Sequence, residues 1–222
     1  IIPSDEKIHA EIMYNKYDIF RNLFMYYFLA GLLFFIFIIL NIFSENKSIH
    51  NFMKYIFIIF RSSIVLLFIA HTLGLIARWY ISGHAPWGDA YESMIYVAWA
   101  TMGIGLLFIK KSDLTLASTS FVTSMILMIA HWNWMDPSIA NLVPVLNSYW
   151  LMIHVSVIVG SYGPFALSMI LGFVSLLLIV FITRTNKEKI KNQLSELTMI
   201  NELSVTVGLI MLTIGNFLGG MW

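Results

Sequence analysis

The sequence predicts an all-α, polytopic membrane protein: a transmembrane helical bundle of about six spans with an N-terminal external segment. Hydrophobic residues make up 59% of the 222 residues and charged residues only 11%, a balance typical of chains whose surface faces lipid. The apolar residues gather in six runs, each close to the ~20 residues that cross a bilayer. The few basic residues lie at the edges of these runs, so no nucleic-acid partner is expected.

The chain divides into two parts. Residues 1–22 mix charged and aromatic side chains and are predicted to form an external or interfacial segment that leads into the membrane. Residues 23–222 are predicted to form the transmembrane domain, embedded in the lipid bilayer. Its spans are expected at roughly 23–43, 56–77, 92–109, 114–131, 149–183 and 203–221.

Basic residues in the short loops predict the orientation of the bundle. They follow the first, third and fifth spans, and the positive-inside rule places these loops in the cytoplasm. The loops at 78–91 and 131–148 then face outward, as does Trp222. The basic residues are Lys47, Lys54, Lys110, Lys111, Arg184, Lys187, Lys189 and Lys191.

Most of the tryptophans fall on this outward side. An aromatic belt explains them by amphipathicity alone, but such a belt decorates both membrane surfaces. Only Trp99 lies away from the outer boundary, so the asymmetry favours a functional aromatic platform. The outer tryptophans are Trp79, Trp87, Trp132, Trp134, Trp150 and Trp222.

His154 lies less than two turns inside the predicted start of the fifth span. Trp150 precedes it by four residues, so the two rings share one helix face. A neutral imidazole in this position can ligate iron, and a flat aromatic ring beside it can form a wall for a planar macrocycle. The same spacing arises when both rings pack against lipid or protein, and the residues alone leave both interpretations open.

His71 and Arg78 are a second pair of candidates. His71 lies inside the second span, two turns before Arg78 and on the same face. An ionisable side chain in a span is a functional-site hypothesis, because a polar ring in hydrocarbon needs a partner. His71 could ligate iron or form a hydrogen bond across helices to a Ser or Thr, and Arg78 could bind a carboxylate such as a haem propionate.

The two outer loops contain capping and turn signals. Asp89 followed by Glu92 resembles a capping box at the start of the third span. Asp136 before Pro137 predicts a turn, and Asn147 or Ser148 is expected to cap the fifth span. This loop chemistry does not explain why His84 lies among three large aromatic residues and Arg78.

Glycines mark two helices. Gly160, Gly163 and Pro164 predict a kink and a close helix approach in the fifth span. Gly215 and Gly219 form a Gly-x-x-x-Gly in the sixth, a common packing signal.

Several chemistries are excluded. The absence of cysteine rules out disulfides, thiolate metal sites and a Cys-x-x-Cys-His haem attachment sequence within the chain. There is no phosphate-binding glycine loop, nucleophile elbow or His-x-x-x-His pair. Non-covalent haem, haem b, is therefore the leading cofactor. Two further functions fit a membrane protein of this composition. One is a non-enzymatic haem- or quinone-binding electron-transfer subunit, and the other is a transporter without haem.

Two stretches resemble a known family. Arg78-Trp-Tyr-Ile-Ser-Gly-His-Ala-Pro-Trp-Gly-Asp-Ala-Tyr-Glu-Ser93 and Asn141-Leu-Val-Pro-Val-Leu-Asn-Ser-Tyr-Trp-Leu-Met-Ile-His-Val155 are similar to the CcsA (ResC) component of bacterial System II cytochrome c synthases, often fused as CcsBA. The similarity covers roughly residues 50–222.

The resemblance implies a haem lyase of the bacterial inner membrane. Such a protein moves haem to the outer, periplasmic face and attaches it to the Cys-x-x-Cys-His of apocytochrome c. His154 matches one of the family's two axial ligands to the external haem. Trp150, Trp87, Arg78 and His71 are candidate cofactor-binding residues from the pattern of the residues, and the resemblance places neither His71 nor His84 as an iron ligand. The family's second external ligand and its Trp-rich loop lie beyond Trp222, so we expect this chain to be a piece of a longer synthase.

Overall fold

A computed structural model describes residues 5–43, 47–132, 136–139, 149–182 and 186–220 of the chain. Seven helices and no strand occur in these ranges, which confirms the predicted all-α class. The helices are α1 Asp5–Tyr17, α2 Ile19–Phe43, α3 Lys47–Ser82, α4 Ala90–Leu107, α5 Asp113–His131, α6 Tyr149–Val180 and α7 Lys187–Gly220.

The described part of the N-terminal segment, from Asp5 onward, is helical. It forms α1, which packs against α3 and meets α2 at Asp18. Asp18 adopts a φ of 40°, in the left-handed region where Asp is tolerated better than most residues. One residue thus separates the polar α1 from the apolar α2.

Five helical stretches in the described ranges are long and apolar enough to cross a membrane. They are Asp5–Ile42, Phe52–Ser82, Asp113–His131, Trp150–Val180 and Lys187–Gly220. The predicted third span corresponds to α4, which is not among them because Tyr91, Glu92 and Ser93 in its first turns lower its mean hydropathy. Its 18 residues reach about 27 Å at 1.5 Å per residue.

Two ion pairs show that α4 nevertheless runs the length of the bundle. Glu92, in its first turn, binds Arg78 near the end of α3. At its other end the chain turns into α5, where Asp113 accepts two hydrogen bonds from Arg61, at 2.6 and 2.9 Å. We call these two ends of the bundle the His154 end and the Arg61 end.

Small residues allow the helices to approach closely. A methyl group at Gly31 of α2 would lie 2.7 Å from the Phe121 amide of α5, and one at Gly163 of α6 would lie 2.8 Å from the Thr101 amide of α4. The close approach predicted at Gly163 is therefore confirmed. α6 continues through Pro164 as one helix, and a kink there stays a prediction.

Two helices are longer than the predicted spans. α7 begins at Lys187 instead of near 203, and α3 begins at Lys47 instead of near 56. The added turns carry more polar residues than the spans, so a hydropathy criterion marks only the apolar part of each helix. In α7 they are also rich in good helix formers such as Lys, Glu, Gln and Leu. At the Arg61 end, Lys189 of α7 donates to the Ile42 carbonyl of α2 at 3.3 Å.

Candidate functional site

His154 lies in the second turn of α6, half-buried, with its ring turned toward α7. Its Nδ1 is 2.7 Å from the carbonyl oxygen of Gly215. A carbonyl oxygen can only accept a hydrogen bond, so Nδ1 carries the proton and Nε2 of the neutral ring is left with its lone pair. Among the described residues, none forms a hydrogen bond with Nε2. This is the arrangement usual in metal-binding histidines, whose other ring nitrogen donates to a carbonyl or carboxylate.

The same ring packs against the backbone of α7. A methyl group at Gly219 would lie 2.6 Å from Cε1 and 2.9 Å from Nδ1 of His154. The Gly-x-x-x-Gly pattern, which the sequence offered only as a packing signal, therefore lies directly behind the candidate ligand. The sequence alone does not show that these glycines of α7 face His154, because this depends on how α6 and α7 pack together.

Trp150 lies one turn before His154 and is 46% exposed. It shares the helix face of His154 by spacing, but no contact between their rings is seen in the described part of the chain. A role for Trp150 in binding a cofactor stays a prediction.

The α4–α6 contacts place His154 at the depth of the α4 N-terminus. The sites of closest approach are Gly160 beside Tyr96 and Gly163 beside Thr101, so the two helices are parallel and in step. Counting back along α6 from Gly163 reaches His154. Counting back the same number of residues along α4 from Thr101 reaches Glu92. The loop before α4, which carries Trp87, is thus at the level of the candidate ligand.

Trp87 belongs to an aromatic row along α3 and α4, made of Trp79, Trp87, Tyr96, Trp99 and Phe68. Successive ring centroids are 6.0, 5.1, 5.8 and 5.7 Å apart. Nε1 of Trp99 donates to Thr72 at 2.9 Å, whereas Nε1 of Trp87 is buried with no partner in the described ranges. The row joins outer tryptophans to Trp99, which the sequence analysis had set apart from them.

Arg78 is fully buried and holds the two outer loops together. Its Nε donates to Glu92 Oε1 at 2.8 Å, and its terminal nitrogens donate to the carbonyls of Pro137 and Ser138 at 2.9 and 3.1 Å. The carboxylate that this residue was expected to bind is therefore one of the protein's own. All three guanidinium nitrogens already have partners within the protein. Contact with a haem propionate stays a prediction.

The predicted N-cap of α4 is present in a modified form. Asp89 accepts from the Glu92 amide at 2.7 Å, which confirms the cap. Glu92 Oε2 accepts from the Gly88 amide at 2.8 Å and lies 3.8 Å from His84 Nδ1. Glu92 therefore fixes the loop before the helix as well as Arg78.

The described part of the second outer loop contains the predicted turn. The Ser138 amide donates to Asp136 Oδ1 at 2.9 Å, and this bond lowers the pKa of the exposed Asp136 carboxyl. Trp134, Asn147, Ser148 and Trp222 lie outside the described residues, so their predicted roles are neither placed nor tested.

His71 is fully buried between helices. Its Nε2 is 3.1 Å from the Ile95 carbonyl of α4, and the rings of Phe20 and Tyr27 pack around it. The bond across helices matches the structural alternative, with a backbone carbonyl in place of the expected Ser or Thr. The remaining Nδ1 has no partner among described residues, and a cofactor role for His71 stays a prediction.

No group of three or more His, Asp or Glu side chains that could hold a metal ion occurs in the described ranges. At His154 itself the available donor is one imidazole nitrogen, Nε2. One such nitrogen fits one axial position of a haem iron, because the porphyrin supplies the equatorial ligands.

Comparisons with known proteins show the family to which the chain belongs. Residues 87–222 match the family model described as Cytochrome C assembly protein. The chain is 40% identical over its whole length to Protein NrfI of Wolinella succinogenes, of which it spans 24%. It is 30% identical to the cytochrome c biogenesis protein CcsA of Prochlorococcus marinus subsp. pastoris, with 86% of this chain and 69% of that protein aligned.

The matched family region contains α4 to α7 and therefore His154, Gly215 and Gly219. The resemblance to CcsA proteins that the two outer stretches indicated is confirmed. This chain, a multi-pass membrane protein, belongs to the cytochrome c assembly protein family.

Proposed function

We propose that this chain is part of a holocytochrome c synthase, a haem lyase, in the bacterial inner membrane. The synthase would bring haem to the periplasmic face and present it to apocytochrome c. Because the chain spans 24% of NrfI and 69% of CcsA, further parts of the same protein or complex would complete the enzyme.

One observation supports the proposal: His154 donates through Nδ1 to the Gly215 carbonyl, and Nε2 has no hydrogen-bond partner among the described residues. Nε2 would be an axial ligand to the iron of a non-covalently bound haem b, which is also the substrate. The second axial ligand would come from outside this chain. Each cysteine thiol of the Cys-x-x-Cys-His segment would add across one haem vinyl group to form a thioether.

The surrounding residues would hold the haem and the loops. Trp87, level with His154, and Trp150, on the same helix as His154, would flank the porphyrin. Arg78 would fix the relative position of the two outer loops, and His71 would hold α3 against α4 beneath them. These are positioning tasks, and thioether formation would draw its reactive groups from haem and the apocytochrome.

The test is His154→Ala in the full-length protein, with His9→Ala on exposed α1 as the matched control. We expect His154→Ala to lose the external haem and its holocytochrome c yield, and added imidazole to restore part of both. His9→Ala should behave as wild type in absorption spectrum and yield.

Two outcomes separate the alternatives. An unchanged haem spectrum together with a normal holocytochrome c yield in His154→Ala would refute the assignment. Loss of haem with an undiminished yield would support the non-enzymatic electron-transfer alternative instead.

A further inference from the structure

Three glycines of α7 lie where the helix packs closely against α6. Methyl groups at these three glycines, on one face of the helix, would each collide with a different α6 side chain. The pairs are Gly208 with Phe165 at 2.9 Å, Gly215 with Ile158 at 2.6 Å and Gly219 with His154 at 2.6 Å. A methyl group at the adjacent Gly220 would meet nothing within 4 Å in the described ranges, so the tight fit there belongs to the face and not to the whole end of the helix.

The contact at His154 differs from the other two. Phe165 and Ile158 are apolar side chains for which close packing is a sufficient explanation. The His154 ring carries two polar nitrogen atoms. α7 supplies both a surface for the ring at Gly219 and a hydrogen-bond acceptor at the Gly215 carbonyl. Together they restrict the rotation of the ring about both of its side-chain torsions.

We propose that Gly219 is a positioning residue for the His154 ligand, acting with the Gly215 carbonyl as a slot in α7 for the imidazole ring. This inference rests on the proposed function, in which Nε2 binds iron. The slot selects the Nδ1–H form of the ring and fixes the position of Nε2, which lies 3.3 Å from where a Cβ at position 219 would be. Only glycine leaves room for the ring, because any Cβ at position 219 overlaps it.

The first experiment compares Gly219→Ala with two controls in the purified full-length protein. Loss of outer interactions that orient a metal ligand typically weakens metal affinity about 10- to 100-fold. We therefore expect Gly219→Ala to bind external haem at least about tenfold more weakly, with a changed absorption spectrum and midpoint potential of what remains. Gly220→Ala, which meets nothing, should match the wild type.

Gly208→Ala is the control for packing alone, since it disturbs the same interface at Phe165. It should keep the haem spectrum and midpoint potential even where it lowers thermal stability. A wild-type spectrum and affinity in Gly219→Ala, or an equal loss in Gly208→Ala, would overturn the inference.

A second experiment needs no change in α7. In His154→Gly, free imidazole can enter the slot and donate its N–H to the Gly215 carbonyl, whereas 1-methylimidazole carries a methyl group there instead. We expect imidazole to restore haem binding at a concentration at least about tenfold lower than 1-methylimidazole does, because a hydrogen bond that orients a metal ligand has an effect of this size. Equal rescue by the two compounds would contradict the slot.

The two hypotheses fail in different ways. If His154→Ala keeps its external haem, the proposed function fails. If His154→Ala loses haem while Gly219→Ala keeps it and 1-methylimidazole rescues His154→Gly as well as imidazole does, only the slot fails.

Discussion

At the scale of single residues, His154 and His71 show how a hydrogen bond decides what an imidazole can do. One nitrogen of each ring forms a hydrogen bond with a helix carbonyl. The carbonyl is that of Gly215 for His154 and that of Ile95 for His71. In His154 the bonded atom is Nδ1, so the free nitrogen is at the tip of the ring. In His71 the bonded atom is Nε2, so the free nitrogen lies beside its own backbone, and Phe20 packs against the ring. The sequence presents both simply as histidines within apolar segments.

Also at the residue scale, the buried ion pair between Arg78 and Glu92 fixes the positions of the outer loops. Breaking a buried ion pair by removing one charge typically costs about 3–5 kcal/mol, because the other charge stays buried. Both side chains are at most 1% exposed and their atoms are 2.8 Å apart. We expect Glu92→Gln to lower the melting temperature of the detergent-purified protein clearly, and to loosen the segment around Ser138 that Arg78 holds.

The matched control is Glu6→Gln, on the exposed surface of α1, which should leave the melting temperature unchanged. Limited proteolysis between α5 and α6 provides a second measurement. Equal melting temperatures and equal cleavage for Glu92→Gln and wild type would show that the pair does not hold the loops.

At the scale of elements, glycine positions determine how α6 sits between α4 and α7. Gly163 brings α6 against the α4 backbone, and Gly219 brings α7 against the His154 ring. The depth of His154 relative to Trp87 is therefore set by helix contacts that begin two to three turns away. Helix boundaries and spacing predicted the candidates, but only the register of these contacts relates one helix to the next.

Gly163→Ala tests this register. The methyl group would lie 2.8 Å from the Thr101 amide, and overpacking of this kind costs about 1–3 kcal/mol. We expect a lower melting temperature and a partial loss of external haem as α6 shifts from α4.

The control is Gly172→Ala on the same helix, where a methyl group meets nothing within 4 Å. Alanine is also favoured over glycine by about 1 kcal/mol in a helix interior, so this variant should melt at or above the wild-type temperature. If Gly163→Ala melts no lower than Gly172→Ala, the close α4–α6 approach is not important for stability.

At the scale of the whole molecule, α2 to α7 alternate in direction between the His154 end and the Arg61 end in the described ranges. Basic loops are expected at the Arg61 end and tryptophan-rich loops at the His154 end, as the positive-inside rule requires for a cytoplasmic and an outer face. The absence of native cysteine in this chain makes single-cysteine labelling a direct test of that orientation.

In a full-length background without other reactive cysteines, Ser138→Cys at the His154 end should react with a membrane-impermeant maleimide in intact cells. Lys110→Cys, in the turn after α4, should react only after lysis. The reverse pattern would invert the bundle and place His154 on the cytoplasmic side, which would contradict presentation of haem at the periplasmic face.

The sequence by itself determined the class of protein, the approximate positions of the apolar spans and the family. Apolar runs of membrane length, capping residues such as Asp89 and the two outer stretches are local signals, and each is readable without knowing what lies next to it in space. Local signals also identified His154, since its place in α6 follows from distance along the chain.

Only the tertiary structure decided which partners these residues have. It assigned Arg78 to Glu92 and the loop carbonyls, His71 to the Ile95 carbonyl, and the His154 ring to the glycine face of α7. Each of these depends on the register between helices, which is set by close contacts between residues far apart in sequence. A free Nε2 on His154 is a property of that packing, because it exists only where the Gly215 carbonyl binds the other nitrogen.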